Sequence, residues 1–102
     1  MRVKNVPGPL QDACACGSWL RHWERFSGQR TGYCAEITCY NRDLDGAFVR
    51  PAAGFDPSSY VLPLCTAHRG FSGELTVSDN FVLVSADPAE TCGKPTGRPS
   101  AP

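Results

Sequence analysis

The chain has 102 residues, ten basic and ten acidic side chains, a formal net charge of zero, and 41% apolar residues. A neutral total removes the general electrostatic footprint of a nucleic-acid binder, leaving only local clusters of arginine to supply one. A chain of this length makes one domain, and small domains often supplement a limited core with metal ions or disulfides.

Residues 1–12 are polar, carry Pro7, Gly8 and Pro9, and read as a flexible lead-in with no element of their own. They lack the apolar centre of a signal peptide, and no later run reaches membrane-spanning length. The expected setting is therefore the reducing cytoplasm, where clustered cysteines are more often metal ligands than disulfides. Cys14-Ala15-Cys16-Gly17 follows as a tight turn presenting two thiols. Ser18 then caps a short helix, WLRHWERFS, which Gly28 closes. Trp19, His22, Trp23 and Phe26 recur at helical spacing and form one apolar stripe. Both tryptophans of the chain lie on it, so this helix is expected to supply the largest part of the core.

A turn over 29–32 leads into Tyr33 and a Cys34-x4-Cys39 knuckle, followed by a polar loop over 40–45. Gly46–Arg50 and Ser59–Leu64 read as two short strands joined by a loop with Pro51, Gly54 and Pro57. After Cys65, the segment TAHRGFSGEL opens a helix that Gly70 and Gly73 limit to one or two turns. Phe81–Val84 is a further strand by its β-branched content. Asp87-Pro88-Ala89-Glu90 carries the signature of one helical turn ending at Cys92-Gly93. The Pro-, Gly- and Ser-rich residues 94–102 are expected to be disordered, which leaves 13–93 as the domain.

Cys34, Cys39, Cys65 and His68 form two close pairs separated by a hairpin, the order in which a small domain encloses a tetrahedral zinc ion. Knuckle, hairpin and a ligand-bearing helix start make a small α+β treble-clef zinc finger with an aromatic helix before it. A disulfide framework is the competing reading of six cysteines, but it has no use for a histidine at Cys65-x2-His68. Removing these four ligands leaves Cys14, Cys16, His22 and Cys92, which would suffice for a second zinc ion. Against that, His22 on an aromatic stripe also reads as a core residue, and Cys14 and Cys16 as reactive thiols.

The order Cys-x4-Cys, Gly46-Ala47-Phe48-Val49, Val61-Leu62-Pro63-Leu64-Cys65-x2-His68-Arg69 resembles the HNH endonuclease-like treble-clef domains. The chain is also similar to a group of small bacterial proteins with a CxCGSWLxHW-type start and an LVSA…ETC-type close. Together the likenesses span Cys14 to Gly93. The nuclease resemblance implies a histidine general base on the hairpin, but Phe48 stands there, and Arg69 follows the ligand-like His68. Phenylalanine can neither accept a proton nor bind a metal, so the water-activating step lacks its agent. What remains is a non-catalytic zinc-stabilised binding domain whose partner, protein or nucleic acid, would meet Arg42, Arg50 or Arg69. The alternatives are a metal-dependent nuclease using His22, Asp43 or Asp45 as a displaced base, and a thiol-based redox or metal-transfer protein.

Overall fold

A computed structural model of the chain describes residues 1–7, 17–54, 56 and 58–87. They form a small α+β domain in the order β1 (Arg2–Asn5), α1 (Trp19–Ser27), β2 (Leu44–Pro51), β3 (Tyr60–Cys65), α2 (Thr66–Arg69), β4 (Glu74–Thr76) and β5 (Val84–Ser85). The strands make one antiparallel sheet in the order β4-β1-β2-β3-β5.

The sheet grows from the β2–β3 hairpin, whose register pairs Leu44 with Cys65 and Val49 with Tyr60. Because strand side chains alternate, β2 sends Ala47 and Val49 to one face and Gly46 and Phe48 to the other. Both faces are covered. Val3, Ala47, Val49, Leu62, Leu64, Leu75 and Val77 join Cys34, Ala35 and Cys65 in one buried cluster. Trp19, Trp23, Val61, Val84 and Ala86 form the other, with Phe48 and Phe81 packed at its margin. A strand covered on both sides should read as a continuous apolar run, and Tyr60-Val61-Leu62-Pro63-Leu64-Cys65 does so. Pro63 is tolerated because β5 pairs only with Tyr60 and Val61, so β3 has an edge beyond them. There the Pro63 carbonyl accepts the Ala35 N–H at 2.9 Å and ties the knuckle to the sheet.

Helix α1 has the expected ends. The Ser18 hydroxyl accepts the Arg21 N–H at 3.1 Å, and Gly28 closes the helix in the left-handed region at φ 71°. Trp19, His22 and Trp23 are buried while Phe26 is 40% exposed, so the stripe covers the sheet for little more than one turn and ends in solvent. The core expectation needs correction: the larger buried cluster lies on the opposite face, beneath the knuckle, and contains no tryptophan.

Two further corrections concern strands. The lead-in is not without structure, since Arg2–Asn5 sits between β2 and β4. Its isolated apolar residue, Val3, is fully buried. Within Phe81–Val84 only Val84 is in a strand. The preceding backbone is held by side chains instead: Trp23 Nε1 donates to the Val82 carbonyl at 2.8 Å, and the Val82 N–H donates to Gln29 Oε1 at 2.9 Å. The turn proposed from Pro88 onward lies outside the described residues.

Helix α1 crosses β2 at Gly46. A Cβ there would lie 2.5 Å from the Trp19 carbonyl carbon and Cβ and 2.8 Å from the Leu20 nitrogen. Those atoms belong to the helix backbone or are anchored on it and cannot swing aside. Gly46→Ala is therefore expected to destabilise the domain by about 1–3 kcal/mol or more. Gly70→Ala, where the nearest atoms are 4.0 Å away, should change stability by no more than about 0.5 kcal/mol. Denaturant midpoints of the two variants test this, and equal midpoints would refute the close crossing.

Candidate metal centre

The end of β3 and the one-turn helix α2 carry Cys65 and His68, while the knuckle carries Cys34 and Cys39. One ligand atom from each lies within 4.8 Å of all the others. Cys34 Sγ is 3.4 Å and Cys65 Sγ 3.3 Å from His68 Nδ1, and Cys39 Sγ is 3.9 Å from Cys65 Sγ. A tetrahedral ion with metal–sulfur bonds of about 2.3 Å and metal–nitrogen bonds of about 2.0–2.1 Å implies edges of about 3.8 Å (S–S) and 3.6 Å (S–N). The three distances fit that shape. A disulfide does not, since its sulfurs sit about 2.05 Å apart and all three cysteines are free thiols.

Backbone and side-chain amides surround the sulfurs. The Cys65 N–H donates to Cys34 Sγ at 3.3 Å, and the Asn41 N–H donates to Cys39 Sγ at 3.4 Å. Asn41 Nδ2 donates to Cys65 Sγ at 3.5 Å. Such donors favour thiolate over thiol, the form a metal requires. Burial pushes the Cys34 thiol up to about 12 against weaker opposition from the Cys65 and Glu36 amides. At Cys65 burial also acts upward, but Asn41 and His68 together outweigh it and bring the thiol down to about 6. Between Cys34 and Cys65 the pocket thus favours one thiolate over two, and a bound divalent ion would supply the charge that stabilises the second.

Three side chains hold the ligand-bearing elements. Helix α2 lacks a cap from its own N-cap residue, Cys65. Asp43 takes that place by accepting the Thr66 N–H at 3.2 Å, and the Thr66 hydroxyl, followed by that N–H, holds its carboxyl below the usual range. Asp45 accepts the Gly46 N–H and faces Arg69 at 3.8 Å. At the other end of α2, Asn5 Nδ2 donates to the carbonyls of His68 at 2.7 Å and Phe71 at 2.9 Å. Asn5 was not identified from the sequence. An asparagine followed by Val6-Pro7 carries no signal of what it will reach 63 residues away.

The remaining candidates are spread apart. His22 is fully buried, with Nε2 2.8 Å from the Ser85 carbonyl. A carbonyl only accepts, so this nitrogen carries the proton, and a metal would have to approach through Nδ1. Cys14, Cys16 and Cys92 lie outside the described residues. Phe48 meets the edge of Trp19 at 5.0 Å on the helix-covered face. Arg42 lies beside the knuckle with its guanidinium 5.5 Å from the Tyr33 ring centre. Arg50, the third arginine offered for partner contact, lies away from the centre: it is six residues along β2 from Leu44, or roughly 20 Å of strand.

Zinc-finger peptides gain roughly 10–16 kcal/mol from their ion, as much as the whole stability of a typical domain. A strong chelator is therefore expected to abolish the near-ultraviolet dichroism and cooperative melting of the protein, and Cys65→Ser to lower its metal content by one ion per chain. Unchanged melting in chelator would overturn the assignment. Asn5→Ala should preserve metal content at saturation but weaken metal affinity by about tenfold, read by competition with a chromophoric chelator.

No known family model, no curated protein and no solved structure matches this chain; its function must be argued from the centre and the surface around it.

Proposed function

We propose that the protein is a non-catalytic binding module stabilised by zinc, built as a treble clef, that engages a partner with the exposed side of its knuckle. Three thiolates and one imidazole in tetrahedral reach favour zinc over harder cations. The ligand order, from knuckle through hairpin to the start of a helix, supports the treble-clef reading. With all four positions supplied by protein, none is left for a substrate or an activated water.

The nuclease alternative loses support for the same reason. His68 is spent on the ion, His22 is buried against Ser85, and Asp43 and Asp45 are engaged by Thr66, Gly46 and Arg69. A general base must reach the proton it abstracts, and these side chains have other work. The thiol alternative rests on Cys14 and Cys16, outside the described residues.

The observation that carries the binding reading is the knuckle surface. Tyr33 is 47%, Ile37 58% and Tyr40 77% exposed within eight residues. The two tyrosine rings meet edge to face at 5.8 Å, with Arg42 against Tyr33. Tyrosine and arginine dominate the energetics of protein interfaces, partly because rigid aromatic rings lose little entropy on binding. Neutral net charge tilts the partner toward protein.

A photo-crosslinking residue in place of Tyr40 tests this against one placed at Arg25, on the helix. The expected result is a specific adduct at position 40 only, with partner affinity weakened about 30-fold or more by combining Tyr33→Ala with Arg42→Ala. DNA or RNA retention that Tyr33→Ala weakens would assign the partner to nucleic acid. If no interaction of the protein responds to these substitutions, the knuckle reading fails.

A further inference from the structure

Strands β1 and β2 place Lys4 directly opposite Arg50. Side chains opposite one another in an antiparallel pair share a face, and like charges so placed repel. Glu74, opposite Lys4 on the other side, is the nearest carboxylate in register, and it faces Arg2 at 3.5 Å. Asp56 accepts from the Ser58 N–H and the Tyr60 hydroxyl. Neither Lys4 nor Arg50 has an ion pair among the described residues.

The two cations open onto a cleft of about 510 Å3 whose other lining residues are Asn5, Val6, Pro7, Ser58 and Ser59. Among the described residues the lining contains two positive side chains, two hydroxyl-bearing residues and no carboxylate. We propose that this cleft binds a phosphate-bearing small molecule, with Lys4 and Arg50 on the phosphate and the Ser58 and Ser59 hydroxyls as further donors. Arginine offers a planar fork that matches phosphate oxygens, and lysine adds a point charge. A phosphate alone occupies a small part of such a volume, which lies in the range of pockets for whole small ligands. The remainder, bordered by Val6 and Pro7, takes the carrier of the phosphate, and a molecule of nucleotide size fits. The site lies at the end of β2 remote from the metal centre and does not depend on the role of the knuckle.

Amide resonances of metal-loaded, isotope-labelled protein, titrated with inorganic phosphate and with a nucleoside monophosphate at constant ionic strength, test the proposal. Saturable shifts are expected at Lys4, Arg50, Ser58 and Ser59, with a dissociation constant of about 1 mM or tighter for the monophosphate. Arg50→Gln and Lys4→Gln should each weaken binding about tenfold, while Arg50→Lys retains part of it. The melting temperature of each variant checks that the sheet is intact. Non-saturable shifts matched by chloride, or titrations unchanged in both glutamine variants, would overturn the site. A single-stranded oligonucleotide that binds more tightly per phosphate than the monophosphate, through the same two side chains, would overturn the small-molecule source and assign the cleft to a nucleic-acid backbone.

Discussion

Three sulfurs and one ring nitrogen meeting within 4.8 Å is the constraint on which the rest of this fold depends. The knuckle over 33–41 has almost no regular structure; it meets the sheet through the Ala35–Pro63 bond, the Ile37–Thr76 bond and an isolated Glu36–Val77 bridge. A loop of that kind stays closed only if something offsets its entropy. Cys34 and Ala35 are buried in the larger cluster, so opening the knuckle would uncover one whole face of the sheet. An ion bound at the centre would therefore hold down a core layer as well as a loop.

The centre in turn rests on an unexpected support. Strand β1 lies between β2 and β4, and its last residue, Asn5, bonds the carbonyls of His68 and Phe71. Helix α2 is a single turn and cannot hold its own shape in water, because a helix that short has not recovered its nucleation cost. Asp43 fixes its start and Asn5 its end. The direction in which His68 presents Nδ1 is thus set by two side chains from separate parts of the chain, neither of which is a ligand.

How much of this could be read beforehand follows from how local each signal is. The α1 caps, the β2–β3 hairpin and the Cys34, Cys39, Cys65, His68 set depend on spacing within a few residues or on ligand chemistry that has few other uses, and all were legible. Strand β1 was not. Arg2-Val3-Lys4-Asn5 offers a single apolar residue, too little for a period-two pattern, and flanking Pro7 and Gly8 point to a loop. What makes it a strand is the pairing offered by β2 and β4, which propensity does not contain. The error at Phe81–Val84 is the reverse case. Those residues favour a strand, yet Trp23 and Gln29 take the carbonyl and N–H of Val82 that a ladder would use. The fate of Cys14, Cys16 and Cys92 lies beyond the described residues, so the second ligand set stays an expectation.

The two faces of the sheet also divide the chemistry. On one, the α1 tryptophans and Phe48 make an aromatic layer, and His22 is absorbed into it through Ser85. On the other, the cysteines and His68 sit under a loop whose outer side carries Tyr33, Ile37 and Tyr40. Exposed aromatics on a loose loop would lose much of their binding energy to ordering the loop. On a loop that two ligands pinned to an ion, that ordering would already have occurred during folding. Under the binding reading, the ion does no chemistry and yet sets the affinity, because it fixes the rings before the partner arrives. Metal occupancy and partner binding would then be coupled even though no partner atom touches the ion.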